Sequence, residues 1–378
     1  MYAFSFRALR AFTLVGLATL AAARTSSAQV PSPQALRAAI DSIAEAEIKT
    51  GTVAGISIAV MRGDEVIVAK GYGMADVENQ VPATENTVYR IGSITKQFTA
   101  AAIMQLAEQG KLSLDDELTK YFRDYPTQGR RVTVRHLLNH TSGIRSYTAL
   151  GPRWFATTPL EVPADSIVAL FSREPFDFAP GERFLYNNSG YFLLGLIVEK
   201  ASGQSYPAYL EEHFFKPLGL SATHYCNERP IIRHRAEGYS VVAGQLANDA
   251  PMSMTHPYSA GALCASVLDL LAWQKALTGG KVVSAASYRE MTTPRPLPGG
   301  AAMSYGYGLG VGDLQGHRKV GHGGGINGFV SQLALYPADS LAIAVLVNTE
   351  GQTAGRLERH IAHLALGIRE RAESGRQE

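Results

Sequence analysis

Apolar positions just after residue 30 recur at helical spacing: Leu36, Ile40 and Ile43 fall on one face, and Pro33 suits a first turn. The pattern then changes. Residues 55–61 and 65–69 are β-branched and apolar runs on either side of Arg62, Gly63 and Asp64, which predicts a β-hairpin. A helix is predicted from 93 to 109, stopped by Gly110. Between Gly- and Pro-rich loops, residues 132–139, 164–172, 191–201 and 267–277 carry helical patterns. Strand patterns return at 305–311, 329–336 and 341–347, the last two joined through Pro337, Ala338, Asp339 and Ser340, and an amphipathic helix at 357–368 closes the chain. Strands at both ends and helices in the centre predict an α/β (α+β) fold. One antiparallel sheet flanked by helices draws on residues 31–105 and 285–378, and an all-helical lobe of residues 106–284 is inserted between them.

Composition narrows the class. The chain of 378 residues is 46% hydrophobic and 18% charged, which excludes a disordered or collagen-like protein. With 35 Lys+Arg against 33 Asp+Glu and no basic stripe, nucleic acid is not an expected partner. Arg7 and Arg10 precede an apolar run from residue 11 to 23, and Ser26, Ser27 and Ala28 fit a small-residue cleavage site. Residues 1–28 therefore read as a signal peptide cut near Ala28, its run short of the ~20 residues that span a bilayer. No later segment is apolar enough to span one, so a periplasmic or secreted protein is expected. Cys226 and Cys264 carry no metal-ligand pattern and read as two separate buried thiols, although export would permit a disulfide.

Candidate chemistry gathers at three places. In Gly92-Ser93-Ile94-Thr95-Lys96, positions three apart share a helix face, so the Ser93 hydroxyl and the Lys96 amine can meet. A serine alcohol is a weak nucleophile until a base or cation activates it. Ser-x-x-Lys alone is expected about once by chance in a chain of this length, so it needs company. Tyr186-Asn187-Asn188 offers a phenol, which two neighbouring cations could lower into a base, and an amide to orient a substrate carbonyl. Val320-Gly-His-Gly-Gly-Gly-Ile326 places four glycines about His322 at a strand end. Such crowding serves a positive φ or close approach to a ligand, and a backbone N–H there can serve an oxyanion hole. His136 and His140 lie four apart, but without a following Glu or a third ligand they read as structural. His360 and His363 on the last helix read as surface or packing residues.

These three motifs, in this order, resemble the serine β-lactamase and penicillin-binding-protein superfamily, specifically its class C branch. The likeness extends to Tyr89-Arg-Ile-Gly-Ser-Ile-Thr-Lys-Gln-Phe-Thr99, Leu137-Leu-Asn-His-Thr-Ser-Gly143, Pro217-Leu-Gly-Leu220 and Tyr305-Gly-Tyr-Gly-Leu-Gly310, covering about residues 35 to 350. The resemblance implies one hydrolase domain over residues 29–378 with its cleft between the two lobes. It implies Ser93 as the acylated nucleophile, Lys96 as its activating partner and Tyr186 as general base. Asn188, His322 and Gly324 would contact substrate, and the N–H groups of Ser93 and Gly325 would form the oxyanion hole. No metal and no organic cofactor is required. The motif His322-Gly323-Gly324 stands where class C β-lactamases usually carry Lys-Thr-Gly. A mostly neutral imidazole suits a substrate carboxylate less than a permanent cation, so the implied substrates are D-amino-acid peptides, esters or related amides, including peptidoglycan-derived ones. A class C-like β-lactamase is the alternative, and a non-catalytic peptidoglycan- or β-lactam-binding protein the further one. The nucleophile elbow Gly-x-Ser-x-Gly of α/β-hydrolases is absent. The loops at 144–155 and 252–258 are candidates to line the cleft.

Overall fold

The computed structural model describes residues 30–369. The segment read as a signal peptide lies outside them. Helix α1 (Pro33–Lys49) begins at Ser32, whose side chain accepts from the Ala35 N–H, with Pro33 in the first turn. Strands β1 (Gly55–Arg62), β2 (Glu65–Asp76) and β3 (Val81–Pro82) follow. Near the other end of the chain come β4 (Gly310–Leu314), β5 (His317–Ile326), β6 (Phe329–Tyr336) and β7 (Leu341–Val347). Together they form one sheet in the order β3-β2-β1-β7-β6-β5-β4. The two ends of the chain meet where β1 pairs antiparallel with β7, Ile56 opposite Val347 and Arg62 opposite Leu341.

Both faces of that sheet are covered, and the strand alternation shows it. Ile56, Ile58, Val60, Ile343, Val345 and Val347 enter one core with Leu36 and Ile40 of α1 and Leu357 and Ile361 of the closing helix. Ala59, Met61, Ala342, Ala344 and Leu346 enter the other core, which continues into the helical part of the molecule. Fully buried strands read as continuous apolar runs, as β7 does.

On that second side lies α2 (Thr95–Glu108), buried nearly all round. It packs on α3 (Asn188–Ser202), while α4 (Val267–Thr278) packs on β1 and β7. The last helix among the described residues is α5 (Thr353–Leu366). No described helix is long and apolar enough to cross a membrane.

Several expectations shift in detail. The predicted strand at 305–311 begins only at Gly310, because Tyr305 and Gly306 turn back onto the following residues. The glycine-rich run at 320–326, expected at a strand end, is the body of β5. A small hairpin, Tyr239–Val242 with Gln245–Asn248, interrupts the region expected to be all-helical. Cys226 and Cys264 are both buried free thiols, as expected, and lie close in the fold because His224 pairs with Cys264.

Candidate active site

Ser93 sits in a short 3-10 turn, Gly92–Ile94, which leads directly into α2. Backbone bonds fix this turn from two sides: Ile91 N–H donates to Leu263 O at 3.0 Å, and Ser331 Oγ donates to Ile91 O at 2.8 Å. Gly92 has φ +49°, and a Cβ there would stand 2.9 Å from Gly325 N. A larger residue would therefore push the turn away from β5. None of Gly323, Gly324 and Gly325 has a positive φ. Their purpose is close approach: a Cβ at Gly324 would lie 2.0 Å from Ile91 O and 2.3 Å from Ser331 Oγ. β4 pairs with β5 only as far as Gly321, so among the described residues the outer edge of β5 from His322 onward has no strand beside it. That edge, Gly325 included, faces the serine turn.

Lys96, one turn further along, is fully buried. Its Nζ lies 3.0 Å from Ser93 Oγ, 2.8 Å from Asn188 Oδ1 and 2.8 Å from Ala260 O. None of these partners is a carboxylate. Burial without a counter-charge holds the Lys96 amine well below its usual 10.5. A neutral amine has two N–H bonds and one lone pair. With Asn188 and Ala260 taking the N–H bonds, the lone pair faces Ser93 Oγ.

Asn187 caps α3 by accepting from the Gly190 N–H, so Asn188 becomes the first residue of that helix and Tyr186 stands just ahead of it. The Tyr186 ring lies under Lys96 Nζ, 4.8 Å from ring centre to nitrogen. Two neighbouring cations could have lowered this phenol into a base, but Lys96 beside it is held towards its neutral form. Although Tyr186 keeps 36% exposure, its phenol group lies among dense protein atoms, and burial raises it above its usual 10 while the Ser93 side chain pulls the other way. His322 is no cation either, in keeping with the mostly neutral imidazole expected: burial, then the charge that Lys96 carries when protonated, lowers it to about 4. Its Nδ1 lies 2.5 Å from Gly323 O and its Nε2 2.9 Å from the Tyr305 hydroxyl. A carbonyl only accepts, so Nδ1 carries the proton and Tyr305 donates to Nε2.

All the predicted site residues converge on this cleft. Ser93, Asn188 and Gly325 line a cavity of about 130 Å³ together with Tyr147, Thr148, Trp154, Met252 and Pro257. Tyr186 and His322 line a second, of about 390 Å³, with Tyr305 and Gln332. Gly324 does not line either cavity; it seats the serine turn.

Three contributors escaped the sequence reading. Ala260 acts through its carbonyl, which no side-chain motif records. Tyr305 was visible only as the start of a family-like segment. His140, read as structural, is buried in the wall beneath Tyr186 at 4.4 Å between ring centres and is held neutral by burial and by Lys96 and His322. Its Nδ1 accepts from the Asn187 N–H at 3.1 Å, so it also steadies the start of α3. Among the described residues no group of three His, Cys, Asp or Glu could hold a metal.

A serine in contact with a buried, unpaired amine, beside an open strand edge and a tyrosine, is the constellation of a serine hydrolase that works by acyl transfer. The chain belongs to the Beta-lactamase family, whose profile matches residues 40–367. The protein flp of Staphylococcus aureus (strain MW2) is 29% identical over 330 residues, covering 85% of this chain and 65% of that protein, so the chain spans about two thirds of that relative's length. Among solved structures, the octameric penicillin-binding protein homologue from Pyrococcus abyssi superposes with a TM-score of 0.77 at 34% identity, over 88% of this chain and 78% of that one. D-amino acid amidase from Ochrobactrum anthropi SV3 gives 0.77 at 25% identity, over 88% and 97%.

Proposed function

We propose that this protein is an exported hydrolase that forms an acyl-enzyme on Ser93 and acts on D-amino-acid peptides, amides or esters. The observation that carries this reading is the contact between Ser93 Oγ and a buried lysine with no carboxylate partner. Neutral Lys96 takes the Ser93 proton as Oγ attacks the substrate carbonyl. The oxyanion that forms faces the N–H groups of Ser93 and Gly325, and Asn188 orients the substrate amide. As the C–N or C–O bond breaks, the Tyr186 hydroxyl protonates the departing nitrogen or oxygen and recovers a proton from Lys96. Water then attacks the ester as Lys96 accepts its proton, and Lys96 returns that proton to Ser93 Oγ as the acyl C–O bond breaks and the carboxylic acid leaves. In this scheme Tyr186 acts as the proton donor and Lys96 as the base, since burial disfavours a phenolate.

The neutral His322 supports substrates that lack a carboxylate at that position, which favours amides and esters over penicillins. The likeness to a D-amino acid amidase supports the same class. The test is intact mass followed over time after mixing the protein with a penicillin, and separately with a D-amino-acid ester, with Ser93→Ala alongside. A transient adduct from the ester, absent in the variant, is expected. A penicillin adduct that turns over rapidly would move the reading to a β-lactamase. Normal turnover by Ser93→Ala would end it.

A further inference from the structure

The small cavity at Ser93 adjoins a larger space across Met252 and Asn327. That space is a basin of about 520 Å³, lined by Arg90, Tyr225, Glu228, Asp249 and Phe329 among others. The two share only Met252 and Asn327 as lining residues. We infer that Met252, together with a latch from Asn327 to Ala250, forms a gate between the two spaces and sets the length of acyl group the enzyme accepts. This inference rests on Ser93 as the acylated atom.

The latch is visible. Asn327, in the turn between β5 and β6, donates from Nδ2 to Ala250 O at 3.0 Å, tying the sheet edge to the 250–252 segment. That segment is itself held on both sides. Met252 O accepts from Arg90 Nη1 at 3.5 Å, Arg90 pairs with Glu228 at 2.6 Å, and Ser253 N–H donates to Thr158 O at 2.8 Å. The backbone is thus pinned while the Met252 side chain remains an unbranched, adaptable plug. Tyr147, Trp154 and Pro257 close the remaining apolar walls of the inner cavity.

Volume sets the threshold. At about 30 Å³ for a water-sized group, 130 Å³ holds about four heavy atoms. Acetyl and propionyl groups, of three and four heavy atoms, fit ahead of the gate. Longer chains must displace Met252 or break the Asn327–Ala250 bond to reach the basin. Opening the gate brings added methylenes against Tyr225, Met254 and Phe329 on the basin wall, where full burial of each would be worth about fourfold in affinity and partial burial less.

The test uses two readouts on the intact protein. One is the rate at which p-nitrophenyl alkylphosphonates with two to eight carbons label Ser93, read by intact mass. The other is binding of the matching free carboxylic acids, read by fluorescence of Trp154 with Trp154→Phe as the control. Wild type is expected to improve up to about three carbons and then to fall in both. Met252→Ala and Asn327→Gly are expected to raise the ratio of six-carbon to two-carbon ligands more than tenfold over wild type. Met252→Trp should sharpen the cut-off. A smooth length dependence in wild type, or variants that leave the profile unchanged, would overturn the gate and leave Ser93 standing. Absence of any labelling alongside a clear break in acid binding would do the reverse. Circular dichroism of each variant separates a shifted gate from a damaged fold.

Discussion

At the residue scale, the question is which group takes the serine proton, and burial decides it. Lys96 has three acceptors and no counter-ion, so protonating it places a bare charge in the interior. Its ionisation is pushed down, while that of Tyr186 is pushed up. Each shift favours the neutral form, and the neutral forms are a base and an acid respectively. Catalysis then requires unprotonated Lys96. The value of kcat/KM should rise with pH through the lowered ionisation of Lys96 and reach a plateau below 10.5, and Lys96→Arg, permanently charged, should lack both limb and activity. A wild-type rate that falls as pH climbs across the neutral range would refute this assignment. Ser93→Ala should lose about six orders of magnitude in kcat. Tyr186→Phe and Lys96→Ala should each lose roughly 10²–10⁴, measured with an ester and an amide of the same acyl group. If the phenol protonates the leaving group, Tyr186→Phe should harm the amide more, because an amine departs less readily without a proton.

At the element scale, the catalytic turn is located by a glycine strand. Most of the architecture was legible from periodicity: the 55–69 hairpin, the helices near 93–109, 191–201 and 267–277, and the last two strands all appear close to their predicted bounds. So were the loops at 144–155 and 252–258, which contribute Tyr147, Trp154, Met252 and Pro257 to the cleft. β5 was not legible, because glycine has no strand propensity and hides the alternation that marks a strand. What forces glycine there is tertiary: Gly321 stands against Leu333 O, and Gly324 against Ile91 O. No local signal carries that information. Gly324→Ala should therefore displace the Ile91–Ser93 segment from the sheet, at a cost of about 1–3 kcal/mol with a large loss of Ser93 labelling. Gly312→Ala, where a Cβ meets nothing within 4 Å, is the control and should change neither. Equal effects in urea unfolding and labelling would show that the close approach is not what positions the serine. The 239–248 hairpin was missed for a different reason: its strands are four residues each and largely exposed, so no buried face imposed a pattern.

At the scale of the whole molecule, the cleft is a region where charge is excluded, and this couples catalysis to stability. His322 is lowered to about 4, His140 well below 6.5 and Lys96 well below 10.5, each mainly by burial. In the unfolded chain these groups return to their ordinary values. Between pH 6.5 and 4 the unfolded state therefore binds more protons at His322 than the folded state, so stability must fall as pH drops through that window. A difference of this size amounts to about 3 kcal/mol when the window has been crossed. His140 and Lys96 slope the same way. Carboxylates held low add the same slope at the acid end: Glu78 and Glu108 as pH falls through their ordinary 4.5, and Asp41 and Asp115 mainly below 3.8. Glu350 and Asp269, raised by burial, slope oppositely, which makes comparison between variants more telling than the raw curve. Urea unfolding at a series of pH values should show wild type losing stability from pH 6.5 to 4, and His322→Asn losing measurably less over the same range. Parallel curves for the two proteins would mean that His322 is not held neutral by the fold. The basis for reading this cleft as selective for uncharged groups would then be gone, and with it the preference for amides and esters over carboxylate-bearing substrates.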